Sequence, residues 1–513
     1  MPLRFAAAVP VVLCALPVGY VLVDTLATGW AEAYALVVRP RVGELLVSTV
    51  LLVVSGVVTS VVLGVALAWL VERAPLPARR GFRALLAVPL AVPAFVTSFG
   101  WVSLAPSVAS PAGALLVVTL AYYPLVFLPV AAALDGLDGA LEEAAAALGL
   151  GTGARLRRVV LPQLRPAVLG GALLVSLHLL AEFGALQLLG VTTFTTAIYD
   201  QYESSFGGPA ASALATVLLA LCAILLAAEI RLRGNARYAR VGSGARRTPT
   251  AAVPLEGGRR GAASLASTGA ATAVVVLALG VPLGSIVGWL VTSRSTAFPV
   301  AELATSAATS IGLGLGGALL TTGLALPLAV LAVRSRSRSG RWMQAAVFGA
   351  SALPGIVVGL ALVSIALTAV PALYQTLPLL LVAYAVLFLP RALVSVRAGL
   401  EQAPAVMDEV SASLGVSRLG HLARVVLPLT ARSCGAGAAL VFLGVSTELT
   451  ATLLLAPLGT ATLATEFWAS SSQVAYGEAA PYAALLVLLS VPATVVLVRA
   501  VNPRTPWGAG GAS

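Results

Sequence analysis

Glu142-Glu143-Ala144-Ala145-Ala146-Ala147-Leu148-Gly149, followed by Arg158-Val159-Val160-Leu161-Pro162, returns 266 residues later as Asp408-Glu409-Val410-Ser411-Ala412-Ser413-Leu414-Gly415 and Arg424-Val425-Val426-Leu427-Pro428. The same offset carries Glu182 onto Glu448, Thr196 onto Thr462 and Tyr202 onto Trp468. Upstream the offset is 261, pairing Arg73 with Arg334, Pro93 with Pro354 and Phe127-Leu128-Pro129 with Phe388-Leu389-Pro390; five extra residues therefore lie between Pro390 and Asp408. Two constant registers over more than a hundred residues mark a duplicated chain.

What is duplicated is membrane-embedded. Of 513 residues, 59% are hydrophobic and 10% charged, with mean hydropathy +0.99, whereas a soluble domain is about 25% charged. Apolar runs long enough to cross a bilayer recur near 6–27, 45–70, 84–105, 113–134, 167–190 and 210–230. A second set lies near 267–291, 307–333, 344–369, 376–396, 434–455 and 481–499. The expected fold is an all-α membrane protein of about twelve transmembrane helices in two parallel six-helix repeats, 1–230 and 263–513, related by an axis along the membrane normal. The first run reads as an uncleaved span, because no small-residue cleavage site closes it. Between the repeats, 231–262 is rich in Arg, Gly, Ala and Ser and reads as a flexible basic cytoplasmic tether.

All 31 basic residues are arginine. With the amino terminus placed in the cytoplasm, 28 of them, Arg391 and Arg397 included, fall on the inner side and only Arg39, Arg41 and Arg294 outside. That bias predicts both termini in the cytoplasm. The net charge of +11 comes from these short loops, without a folded basic face carrying aromatics, so nucleic acid is not an expected partner. Cys14, Cys222 and Cys434 lie far apart in or beside apolar runs and read as small buried hydrophobes. Asp200, Glu203, Glu466 and Glu478 sit in long outer loops that carry no base; they read as solvated charges, with a cation or a basic partner as the alternative.

In each repeated loop, acids stand at the positive amino end of a short helix, small residues follow, and Gly149 or Gly415 supplies the C-terminal cap. A basic helix ending in Leu-Pro comes next. The small residues let another protein approach closely. This spacing resembles the EAA loop of the membrane subunits of type I ABC importers: E-A-A, three residues, G, nine residues, I, one residue, L-P. The first copy matches through Glu143, Ala144, Ala145, Gly149, Leu161 and Pro162, with Glu142 before them. The second departs, with Asp408, Glu409, Val410 and Ser411 before Gly415. The resemblance implies that residues 141–153 and 407–419 dock two copies of a separate ATPase subunit, and that an extracytoplasmic binding protein delivers cargo. There is no G-x-x-x-x-G-K-[ST] and no lysine, so the chain itself is not expected to bind ATP through a P-loop or to be an enzyme, and no cofactor is implied.

Further residues resemble the fused permeases of the ferric iron group. They are Glu182-Phe183-Gly184-Ala185-Leu186-Gln187-Leu188-Leu189-Gly190 with Phe194-Thr195-Thr196-Ala197-Ile198-Tyr199, and Thr447-Glu448-Leu449-Thr450-Ala451-Thr452-Leu453-Leu454-Leu455 with Thr462-Leu463-Ala464-Thr465. Ferric iron is the implied cargo; thiamine, sulfate, molybdate and polyamine permeases share the architecture. Glu182 and Glu448 sit about fifteen residues into their spans, and ionisable groups at that depth are candidates for the translocation pathway. The alternative is that each carboxylate holds a neighbouring helix end. His178, one turn before Glu182, has Gly444 as its counterpart and reads as a structural hydrogen bonder. Pro89, Pro93, Pro124, Pro129, Pro354 and Pro390 are candidate hinges or static kinks. A twelve-helix secondary transporter is the competing class, but it gives no reason for a twice-repeated docking loop.

Overall fold

One helix, Pro40–Arg73, shows how the pattern of side chains sets the architecture. One stripe, Leu45, Thr49, Leu52, Gly56, Ser60, Gly64 and Leu67, is buried against neighbouring helices and is largely small. The opposite stripe, Val47, Leu51, Val54, Val58 and Val62, is exposed. A continuous valine and leucine face is untenable in water and natural against lipid tails, where helices associate through close packing of small residues.

The computed structural model describes residues 2–233 and 258–501, apart from 28, 138, 206–207, 335–337, 351–352, 403–405, 418–419 and 421. Those residues are almost wholly helical. Nine helices among them are long and apolar enough to cross a membrane, or eleven if each of two bent pairs is one span. With Tyr476–Val501, these fall one each on the twelve expected spans. The third and ninth expected spans are not straight: Arg79–Ala91 meets Ala94–Leu104 at 92°, and Trp342–Ala350 meets Gly355–Ala369 at 102°. Pro93 and Pro354 cause both breaks, since the residue before a proline is pushed out of the helical region; Val92 is extended, with ψ 122°. The twelfth expected span falls on Tyr476–Val501, a helix with internal Pro481 and Pro492.

The expected segments 167–190 and 434–455 are also interrupted. Leu161–Ala181 stops and restarts as Gly184–Leu188; Leu427–Ser446 stops and restarts as Thr450–Leu455. Conversely, the basic helix expected to end at Leu-Pro runs on. π-helical turns at Leu156–Val160, Val276–Gly280 and Leu422–Val426 immediately precede Leu161-Pro162, Val281-Pro282 and Leu427-Pro428. The wider turn moves the carbonyl that the pyrrolidine ring would strike, so the helix passes through the proline.

The first span of each half packs on the other half. Pro2–Ala27 lies against Val300–Arg334 and Gly355–Ala369, and Val281–Thr292 lies against Ala94–Leu104. At the second crossing the Ser103 and Ser285 hydroxyls are 2.8 Å apart, and a Cβ on Gly100 would stand 2.5 Å from the Pro282 Cα. Residues 234–257, most of the expected tether, lie outside the described residues, as do Arg336, Arg418 and Arg504. The tether's first and last residues are helical, in Gly208–Arg233 and Gly258–Val275.

Candidate functional site

The repeated loops form two short helices, Gly139–Ala147 and Val406–Ser413. In the first, Ala145 faces inward while Leu141, Glu143, Ala144 and Leu148 face out, Leu148 at 83% exposure. In the second, Ser411 takes the inward place, its hydroxyl donating to the Met407 carbonyl at 2.7 Å. Met407, Val410 and Leu414 are exposed there, Leu414 at 74%. Both glycines sit in the left-handed region, Gly149 at φ +78° and Gly415 at φ +68°. The amides beyond them close the helix ends: Leu150 donates to the Ala145 carbonyl at 3.1 Å and Val416 to Ser411 at 3.0 Å, the Schellman pattern. A Cβ at either glycine meets nothing within 4 Å, so backbone conformation and not crowding selects glycine. Glu142, in the first turn, accepts from Arg73 at 2.6 Å. The Asp408 and Glu409 side chains lie outside the described residues.

At the other end of each half the chain breaks on a carboxylate. Glu182 caps Leu161–Ala181 with extended backbone (ψ 126°), and its Oε1 accepts from the Ala185 amide at 2.9 Å. The Tyr122 hydroxyl donates to its Oε2. Glu448 Oε1 accepts from the Ala451 amide at 3.1 Å, and the Thr452 hydroxyl lies 3.4 Å from its Oε2. Each carboxylate thus satisfies the first amides of a restarted helix, where backbone donors have no partner within the helix. Each also lines a shared space: Glu182 and Glu448 border two adjoining cavities of about 410 and 420 Å³, together with Tyr122, His178, Phe388 and Arg391. Holding a helix end and facing the cavity prove compatible. His178 Nδ1 is 2.8 Å from the Leu174 carbonyl, the structural bond expected of it.

Arg391 corrects the sequence reading. Expected among the cytoplasmic loop arginines, it stands instead in the middle of Leu377–Gln402, directly after Pro390, its guanidinium 4.9 Å over the Phe388 ring. The uninterrupted apolar residues on both sides of Leu-Pro-Arg were the available signal. Pro390 does not stop this helix, whereas Pro124 opens one, Pro124–Asp135.

Above the carboxylates, residues of both halves close the space between them. Phe95 and Phe99 each lie 5.4 Å from Phe467, and Phe183 is 5.2 Å from Trp468. Beyond this aromatic layer is a separate cavity of about 330 Å³ lined by Gln187, Tyr199, Glu203 and Trp468. Burial and the nearby Glu302 carboxylate push the Glu466 carboxyl above its ordinary value. Among the described residues no group of three or more His, Cys, Asp or Glu side chains is placed to hold a metal ion.

A duplicated helical bundle with a central cavity, closed on one side by an aromatic layer contributed by both halves, defines a membrane permease. Its two halves match, at residues 60–230 and 322–505, the family described as the inner membrane component of binding-protein-dependent transport systems, and the chain belongs to that family. It is therefore a multi-pass, non-catalytic membrane component of a fused, two-repeat kind, and the secondary-transporter alternative is set aside. The chain is 37% identical over 480 residues to a Haemophilus influenzae Fe(3+)-transport system permease protein, covering 93% of this chain and 94% of that one. It is 30% identical over 232 residues to a sulfate transport system permease protein of Salmonella typhimurium, covering 41% of this chain and 83% of that one. It is 28% identical over 194 residues to a molybdenum transport system permease protein of Escherichia coli, covering 33% of this chain and 84% of that one.

Proposed function

We propose that the chain is the pore subunit of an ATP-driven importer of ferric iron. Repeats 1–230 and 263–513, joined by a cytoplasmic tether at 231–262, rock about the central cavity, with both termini in the cytoplasm. The observation that carries the iron reading is similarity to an Fe(3+) permease along nearly the whole chain. Two ATPase subunits grip the helices at Glu142, Glu143, Ala144, Ala145 and Gly149, and at Asp408, Glu409, Ser411 and Gly415. Their exposed leucines and glycine caps suit a groove on a partner. An extracytoplasmic binding protein delivers the ion to the outer cavity. Closure of the ATPases moves the docking helices, and the halves exchange access from one side to the other. Glu182 and Glu448, hard oxygen donors bordering one space, ease passage of a small, highly charged cation.

Arg391 on the same cavity favours a second reading, an oxyanion such as sulfate, as in the shorter relatives. Uptake by vesicles containing the chain with its ATPases and binding protein separates the two. Labelled ferric ion should enter on ATP addition; entry of labelled sulfate without iron would overturn the iron reading.

A further inference from the structure

We propose that the first docking helix drives the lip of the cavity through a charge cluster whose members Glu72, Arg79, Arg83 and Asp135 have no charged counterpart in the second half, so that the two docking loops contribute unequally to transport. The inference rests on the docking reading above.

Glu142 on the Gly139–Ala147 helix is held by Arg73, whose side chain is only 3% exposed, at the end of Pro40–Arg73. Its neighbour Glu72, 1% exposed, pairs with Arg79 and, at 3.5 Å, with Arg83. Asp135 lies 4.0 and 3.9 Å from the same two arginines. Four elements are thereby clamped: the docking helix, the ends of Pro40–Arg73 and Pro124–Asp135, and the Arg79–Leu85 helix. From there the chain runs through Leu86, whose carbonyl accepts from the buried Tyr123 hydroxyl at 2.9 Å. It then enters Val88–Ala91 and reaches Val92 and Pro93 on the cavity wall. A push on the docking helix has an ionic route to the wall beside Glu182.

At the 261 offset, Glu72, Arg79, Arg83 and Asp135 become Val333, Gly340, Gln344 and Val396. The second half keeps Arg334 and Asp408 at the places of Arg73 and Glu142 but carries no charge at these four. Burying ions is costlier than burying valines, so a cluster kept in one half serves position and not stability. Ion pairs also fix direction and register between elements, which apolar contacts do not.

The test uses the full chain with its ATPases and binding protein in vesicles, reading ferric ion moved per ATP hydrolysed. Glu72→Gln should lower that ratio about tenfold while the ATPases still co-purify and still hydrolyse ATP. A purely structural role would lower uptake and hydrolysis together and leave the ratio unchanged, which overturns the proposal. Should Glu72→Gln fail to assemble, Asp135→Asn at a 61% exposed side chain decides the matter. A ratio reduced about twofold supports the cluster, and an unchanged ratio overturns it. A wild-type chain that retains no ATPase overturns the docking reading and this inference with it; retained ATPases with unaltered ratios overturn this inference alone.

Discussion

The two halves keep one backbone and distribute charge over it differently. Near the docking loops the first half carries Glu72, Arg79, Arg83 and Asp135, where the second has Val333, Gly340, Gln344 and Val396. At the cavity the order reverses: the second half supplies Arg391 where the first has Val130, and Gly444 stands where the first has His178. Tyr122 serves Glu182, whereas Thr452, with its hydroxyl 2.8 Å from that of Tyr384, serves Glu448. Backbone features are repeated: proline breaks at 93 and 354, π turns before Leu-Pro, left-handed glycines at 149 and 415. The duplication therefore preserves what shapes the path of the chain. The carboxylates Glu182 and Glu448 are kept in both halves, whereas the charges of Arg391 and of the Glu72 cluster are supplied by one half only.

The largest expected effect tests the feature that has not diverged. Gly149→Val with Gly415→Val places β-branched residues in the left-handed region at roughly 1–2 kcal/mol each, unwinding both caps. Uptake should fall about 100-fold, since two such costs at 1.4 kcal/mol per decade compound. The glycines lie outside the spans, so the amount of membrane-inserted chain should not change. Single substitutions sharpen the contrast between halves: Gly149→Val should cut uptake more than Gly415→Val, and equal losses would argue that both loops transmit alike.

The carboxylates come next. Glu182→Gln with Glu448→Gln retains an oxygen for the Ala185 and Ala451 amides but removes both charges from the cavity. Uptake should fall about tenfold, ~1.4 kcal/mol in the transport barrier, with ATPase assembly intact. Unchanged uptake would confine both residues to capping the restarted helices.

Much of this architecture is legible in the sequence because its determinants are local. Two constant registers reveal the duplication, apolar length reveals most spans, and Leu-Gly at a fixed spacing reveals both caps. The breaks at Glu182 and Glu448 are less legible. A glutamate in an apolar run marks depth, but only the Ala185 and Ala451 amides show that the helix stops there and restarts. The bends at Pro93 and Pro354 were visible as prolines and not as angles, since a proline can also be carried through by a π turn, as at Pro162. The place of Arg391 is not legible from the inside–outside bias, because an arginine within a helix that faces a cavity carries the same charge as one in a loop. The cluster around Glu72 was invisible for a different reason: its ion pairs join residues up to 69 positions apart, and nothing in their spacing announces them.

The smallest effect concerns Arg391 and the glycine that makes room for it. A Cβ on Gly444 would stand 2.9 Å from Arg391 Nη1 and 2.7 Å from Phe388 Cε1. Both are outer atoms of side chains, so Gly444→Ala should displace them and leave the fold intact, with a stability change under about 1 kcal/mol. The displaced guanidinium would alter the field beside Glu182 and Glu448, and uptake should change about threefold, ~0.6 kcal/mol. Val130→Ala, at the first-half place that matches Arg391, alters no charge and should change uptake less than Gly444→Ala. If the two variants transport alike, Arg391 is a bystander in the cavity, and the uneven distribution of charge between the halves matters only at the docking end.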